Sequence, residues 1–216
     1  MASHSCPLCY CTGGLLFHED KRREYFQCPR CELVFVPERW HVDSTREKAE
    51  YDLHDNSLHD TGYLKFLRRL GEPLVARLGK HGCGAKGLDV GCGPGPALQH
   101  WLNGQGFEVQ VFDKFYAPDA RALLAYYDFI TATEVVEHLR APGLFLHSLW
   151  QLLRAGGYLG LMTKRVKNRE AFVNWHYKND ITHIAFFSEQ SFHWLAREWG
   201  AELEFVDSDV VIFRKQ

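Results

Sequence analysis

The run Leu88-Asp89-Val90-Gly91-Cys92-Gly93-Pro94-Gly95 limits what this chain can fold into more than any other stretch. A short apolar segment, of buried-strand length, enters a turn dense in glycine, and a helical pattern from Ala97 to Asn103 follows. Glycine admits left-handed backbone and lets a ligand approach the main chain. The start of the following helix offers N–H groups that have no partner within the helix. Eighteen residues past Gly95, Asp113 ends the strand-like run Phe107 to Phe112, where a carboxylate can accept the hydroxyls of a ribose. This order of strand, glycine turn, helix, strand and acid describes a nucleoside site at one end of an α/β sheet.

The pattern continues to the C-terminus. Strands are expected at Tyr127 to Ala132 and Tyr158 to Met162, and helices at Pro142 to Arg154, stopped by Gly156-Gly157, and Ser188 to Trp199, with Ser188 as N-cap and Gly200 as stop. Glu202 to Val206 and Val210 to Arg214 read as a closing antiparallel hairpin. Alternating strands and helices make a mostly parallel sheet with helices on its faces. Upstream, Tyr63 to Leu78 has helical periodicity that Gly71 and Pro73 are expected to break or kink. The expected division is a small module at 1–40, a linker and helix at 41–85, and the nucleoside-binding domain at 86–216. A nicotinamide enzyme fits poorly. The third small position of its fingerprint, counted from Gly91, is Pro96, and Asp89 would repel a pyrophosphate while suiting an ammonium.

These motifs together resemble the class I S-adenosylmethionine-dependent methyltransferases over about residues 86–216. Asp89-Val90-Gly91-Cys92-Gly93-Pro94-Gly95 is similar to their first motif and Asp113 to their ribose acid. Tyr127-Asp128-Phe129-Ile130-Thr131-Ala132-Thr133-Glu134 is similar to their fourth motif, and Leu153-Arg154-Ala155-Gly156-Gly157-Tyr158-Leu159 to the turn before their fifth strand. The resemblance implies a Rossmann-like fold and a donor site built from Asp89, Gly91, Cys92, Gly93, Pro94, Gly95, Asp113, Lys114, Phe115, Thr133 and Glu134. Only fourteen residues, 114–127, follow Asp113 before the fourth strand ends its approach, where the family places a helix, a strand and a helix. The third strand is therefore expected to be missing. The acid that reads the adenine amine has no counterpart, and Phe115 and Tyr116 either stack on adenine or pack as ordinary aromatics.

The acceptor side is expected after the fourth strand. Within a helical turn, Glu134, Glu137 and His138 share one face, and two carboxylates with an imidazole suit a divalent ion such as Mg2+. This run resembles two branches, the ubiquinone-biosynthesis O-methyltransferases and the small-RNA 2′-O-methyltransferases. The second adds a histidine after the fifth strand, where this chain has His183. Without a metal, His138 or His183 is the candidate general base. The connection from Lys164 to Phe187 is long and carries Trp175, Tyr177 and Asp180, either shaping an acceptor pocket or packing the loop down. His54 and Asn56 are candidates for a lid over the donor.

Cys6-Pro7-Leu8-Cys9 and Cys28-Pro29-Arg30-Cys31 form two CxxC pairs eighteen residues apart, around an expected hairpin. Four thiolates at this spacing suit a structural Zn2+ and resemble a zinc ribbon. Cys11 is an alternative to Cys9, while Cys83 and Cys92 stand apart. Lys21-Arg22-Arg23 at the hairpin tip either touches RNA or stays solvated. The net charge of −2 gives no broad basic field, which favours a small-molecule acceptor over RNA or protein without excluding them. The expected location is the cytoplasm, since no apolar run has the length of a membrane span and the first residues lack a signal-peptide pattern. The rival to an enzyme is an inactive relative that uses its ribbon to dock a partner.

Overall fold

A computed structural model describes residues 4–53, 60–79 and 84–216. His54, Asn56 and Cys83 lie outside the described residues. At the N-terminus β1 (Leu15–Glu19) and β2 (Glu24–Gln27) form an antiparallel hairpin, and β3 (Val34–Phe35) pairs with β2. Helix α1 (Ser44–Tyr51) is capped by the Asp43 carboxylate, which accepts the Arg46 N–H. Helix α2 (Thr61–Leu78) is capped in the same way by Asp60.

Helix α2 runs through Gly71 and Pro73 without a break. Interior proline costs a helix about 3 kcal/mol. Leu67, Leu70, Leu74 and Leu78 are all buried along one stripe of it, and each such side chain returns about 1.5–3 kcal/mol. Burial therefore outweighs the local penalty.

The main sheet comprises β4 (Lys86–Val90), β5 (Glu108–Phe112), β6 (Tyr127–Thr133), β7 (Leu153–Met162), β9 (Glu202–Phe205) and β10 (Val210–Arg214), with the two-residue β8 (Ala185–Phe186) lying elsewhere. Its order is β5-β4-β6-β7-β10-β9. The first four strands are parallel, and the β9–β10 hairpin closes one edge in antiparallel fashion. Helices α3 (Ala97–Gly104), α4 (Pro142–Leu152) and α6 (Glu189–Trp199) link the strands, and a short α5 (Arg169–Val173) lies in the connection after β7. Ser188 caps α6 in a capping box and Gly200 ends it in left-handed backbone, as expected from sequence.

The C-terminal end of α4 differs from the sequence reading. The helix stops at Leu152, and β7 begins at Leu153. The Lys215 ammonium caps the helix by donating to the Trp150 and Leu153 carbonyls, while buried Leu153 is drawn into register with Tyr127. Gly156, with φ of 77°, thus bends a strand and does not stop a helix.

No strand lies between β5 and β6; a short 3-10 turn, Ala120–Leu124, fills the gap. That leaves β5 at the edge of the sheet, where unpaired peptide groups invite aggregation. Side-chain amides of α3 cover it. The Val109 N–H donates to Asn103 Oδ1 at 3.0 Å, and Gln99 Nε2 donates to the Val109 carbonyl at 3.1 Å. Further along, Asp113 and Ala117 exchange main-chain hydrogen bonds. Replacing Gln99 and Asn103 together by Ala should cost about 1–3 kcal/mol in urea unfolding and increase self-association by sedimentation. An unchanged midpoint would show that the amides are dispensable.

The N-terminal strands form a second, four-stranded sheet that they do not complete alone. Their order is β1-β2-β3-β8, so the last strand comes from the connection after β7. No helix among the described residues is long and apolar enough to cross a membrane.

Candidate active site

Two turns leave the carboxyl ends of β4 and β6 side by side. In the first, Gly91 and Gly93 take φ of 70° and 65°, the left-handed region. A Cβ on Gly91 would lie 2.3 Å from Val135 Cγ2, so the second turn presses directly on the first. In the second, Glu134 itself is left-handed at φ 52°, its N–H held by the Met162 carbonyl at 2.8 Å. For a residue with a Cβ that is an uncommon conformation.

Above these turns lies a cavity of about 650 Å³. Gly91, Gly93, Pro94, Asp113, Lys114, Phe115, Thr133 and Glu134 line it, as do His138 and His183. The sequence also singled out Asp89, Cys92 and Gly95, which are not among its lining residues. Asp89 is buried beneath the turn and accepts a hydrogen bond from Thr131 Oγ1 at 2.8 Å. Cys92 is buried beside Gly93. Tyr51, Tyr63, Phe66 and Phe145, which sequence did not suggest, form much of the remaining wall.

Asp113 organises the loop that follows β5. Its Oδ1 accepts the N–H groups of Phe115 and Tyr116, and its Oδ2 accepts that of Gly93. Three of about four acceptor positions are thus used by main chain. The loop it anchors is fastened to α1: Lys114 Nζ contacts buried Glu47 at 2.6 Å, Glu47 accepts from Tyr51, and Tyr116 donates to Asp52 at 2.6 Å.

The acceptor side departs from one expectation. Glu134, Glu137 and His138 do not share a helical turn, because Glu134 is left-handed and only Val136–His138 is 3-10. The Tyr177 hydroxyl instead bridges the two carboxylates, lying 3.1 Å from Glu134 Oε2 and bonded to Glu137 Oε1. Burial pushes the Glu134 carboxyl up to about 7. Burial and the neighbouring Glu134 charge raise Glu137 well above the carboxylate range. Burial, then the nearby His183, push His138 down to about 3, so it is neutral at pH 7. The His183 Nδ1–H donates to the Tyr177 carbonyl at 2.7 Å, which makes Nε2 the basic nitrogen.

Ligand-type atoms of Glu137, His138 and His183 all lie within 4.8 Å of one another; Glu134 is not in that group. The sulfurs of Cys6, Cys9, Cys28 and Cys31 form a second such cluster, all four residues buried. Cys11 lies outside it, bonded to the Thr12 carbonyl. Trp175 and Tyr177 pack with Phe172 and Phe186 beneath the loop and do not line the cavity.

A family model described as a methyltransferase domain matches residues 63–205. The chain belongs to this methyltransferase family, and its sheet is that of the class I, S-adenosylmethionine-dependent methyltransferases. Among solved structures, the chain is similar to the 1,6-didemethyltoxoflavin-N1-methyltransferase of Burkholderia thailandensis, solved with 1,6-didemethyltoxoflavin and S-adenosylhomocysteine. That match has TM-score 0.50 and 18% identity, covering 92% of this chain and 98% of that one. The DszA carbon methyltransferase matches at TM-score 0.51 and 14% identity, covering 78% of this chain and 57% of that one. At these identities the likeness concerns the fold. No curated protein matches the sequence.

Burial raises the Asp89 carboxyl to about 7, opposed by the Thr131 hydrogen bond and reinforced by the Asp113 charge. The folded protein therefore keeps a proton that the unfolded chain releases near its ordinary value of 3.8, and stability falls as pH rises between the two. Asp89→Asn removes this slope. Thermal melts should show the variant gaining on the parent by up to about 1.4 kcal/mol per pH unit from pH 5 to 7. A constant difference across that range would refute the assignment.

Proposed function

We propose that this protein transfers a methyl group from S-adenosylmethionine to an oxygen or nitrogen of a small-molecule acceptor. The observation that carries the reading is the cavity itself: left-handed glycines open the main chain on one side, Asp113 stands beside them, and aromatic rings close the other side. The Gly91–Gly95 turn takes the methionine part and Asp113 the ribose, with Asp89 acting from beneath as a positioner of the turn. Phe115 or Tyr116 flanks the adenine. The enclosed volume, about 650 Å³, suits a nucleoside donor and a compact acceptor, which favours a small molecule over a polymer.

The donor supplies an electrophilic methyl on a sulfonium, and displacement there depends chiefly on alignment. This chain's part is to hold the acceptor and remove its proton. His183 Nε2 is the candidate base, because its other nitrogen is committed to the Tyr177 carbonyl. His138, held neutral by burial, orients or shares that role. Calorimetry with S-adenosylhomocysteine tests the donor site. Asp113→Asn should weaken binding about 10- to 100-fold, the worth of a charge-assisted hydrogen bond. No binding by the parent protein would reject the donor assignment.

A structural Zn2+ at Cys6, Cys9, Cys28 and Cys31 belongs to the same proposal. Zn–S bonds of about 2.3 Å set tetrahedral sulfurs about 3.8 Å apart. Here Cys6 and Cys31 sulfurs are 3.5 Å apart and Cys9 and Cys28 sulfurs 3.4 Å, too far for a disulfide. Tyr10 and Glu32, each following the second cysteine of its pair, are both left-handed, which turns the two loops toward one point. Metal analysis should find one zinc per chain, and Cys28→Ser should lose it along with several degrees of thermal stability. A metal-free, fully stable protein would exclude the ion.

A second divalent ion at Glu137, His138 and His183 is favoured by one observation. Among the described residues, Glu137 Oε2 and His138 Nδ1 are buried without hydrogen-bond partners. Two imidazoles and one carboxylate suit Mn2+, Fe2+ or Zn2+ better than Mg2+. Such an ion would hold an acceptor hydroxyl and lower its pKa.

A further inference from the structure

The hairpin between the cysteine pairs carries Lys21-Arg22-Arg23 at its tip, a sequence that reads as a solvated basic patch. The fold disposes of it otherwise. Arg23 is only 5% exposed. Its Nε donates to the Tyr25 hydroxyl, one terminal nitrogen to the Ile181 carbonyl, and the other to the Lys178 and Asp180 carbonyls at 2.7 and 2.8 Å. Four bonds thus leave one guanidinium, three of them to main-chain oxygens within a four-residue stretch. Arginine's planar fork of five donors suits this task and a lysine does not.

The gripped stretch is the one that delivers Asp180 and His183 to the cavity wall. The same turn grips it twice more: Asp20 pairs with Lys178 at 2.6 Å, and Arg22 donates to the Asn179 carbonyl at 3.0 Å. At its far end the loop is pinned by main chain. The Val36 N–H donates to the Ile184 carbonyl, and the Ile184 N–H donates to the Glu137 carbonyl. One residue thus ties the cysteine module on one side and the 3-10 turn bearing His138 on the other. The module also rests on two helix starts, with the Pro7 carbonyl accepting from Gly143 and the Cys31 carbonyl from Ser191.

We propose that Arg23 is a positioning residue of the acceptor site: from the tip of the cysteine-module hairpin it sets the course of residues 178–181 and thereby the placement of Asp180 and His183. The proposal rests on reading the cavity as the methyl-transfer site. The hairpin is then a wall of the active site, not an appended docking module. Arg23 lies 155 residues before Lys178 in sequence, so the placement of the His183 ring depends on the N-terminal segment being folded.

The test uses the whole chain labelled with 15N-histidine. Long-range proton–nitrogen spectra report which ring nitrogen of His183 carries its proton, with His183→Gln assigning the signals. Arg23→Met should shift the His183 nitrogens away from a single Nδ1–H form while changing the dissociation constant for S-adenosylhomocysteine less than about threefold. Arg23→Lys, which keeps the charge but reaches fewer carbonyls, should show an intermediate shift. Arg22→Ala, which removes one bond at the exposed tip, should leave the spectrum unchanged. In Arg23→Gly, added guanidinium ion should restore part of the parent signal. Folded Arg23→Lys and Arg23→Met proteins with parental His183 signals would overturn the proposal, whatever their melting temperatures. Failure of the parent protein to bind S-adenosylhomocysteine would sink the donor reading alone, because the histidine signals report the positioning without it.

Discussion

The press of one turn against another sets the architecture of this site. Gly91 leaves β4 and Val135 leaves the end of β6, and no side chain fits between them. Adjacent parallel strands lie about 4.8 Å apart. Two chains turning away from the same end must therefore diverge or interlock. Here they interlock, with left-handed backbone on both sides, at Gly91 and at Glu134. Left-handed backbone at a glycine is nearly free, whereas at a glutamate it costs of order 1 kcal/mol. The residue so strained lines the cavity, and its carboxylate meets the Tyr177 hydroxyl. Shift the first turn, and the donor cleft and the acceptor wall both move.

Charge is handled by burial and mutual bonding. Asp89 and Glu137 are buried and His138 partly so, and each is pushed toward its neutral form. Tyr177 mediates between Glu134 and Glu137, two carboxylates that would otherwise repel. Its phenol is itself raised by burial and by those same two charges, so it stays a donor. A low dielectric strengthens any charge brought in. A positive charge brought beside Glu134 therefore meets an acid that burial holds close to neutral. Asp180 behaves differently: burial would raise it, but the facing His183 and the Thr182 hydrogen bonds hold it below the usual range. That combination keeps a negative charge near the imidazole that the Tyr177 carbonyl holds.

The part of the cavity around Gly91 and Asp113 was legible because its residues are close in sequence. A strand, a glycine turn and an acid eighteen residues on follow local rules, and so did the missing third strand, which is simply a short count between Asp113 and Tyr127. The cavity roof was not legible. Tyr63 and Phe66 belong to a helix whose periodicity reveals a buried stripe but not what it faces, and Tyr51 ends a short polar helix. Asp89 was assigned to the ligand from its place beside the glycines; strand alternation and the Thr131 hydroxyl put it underneath. The helical reading of Glu134 to His138 failed because the turn had to pass Gly91. Arg23 was misread because three adjacent cations look solvated until the carbonyls that receive one of them are known.

At the β5 edge the sheet ends early, and two amides of α3 replace the neighbour it lacks. Near the acceptor, the loop after β7 is longer than a compact domain needs, and such loops are ordinarily the most mobile part of a site. Here β8 within that loop pairs with β3, so the loop gains a sheet partner from the N-terminus. Order there costs conformational entropy, about 1–2 kcal/mol per residue fixed. The aromatic cluster of Tyr25, Phe172, Tyr177 and Phe186 offsets much of it, since aromatic side chains bury large areas. A small hydrophobic body that carries four cysteines thus does for the wall bearing His183 what the central sheet does for the glycine turn: it holds in place polar groups that loop backbone alone would leave moving.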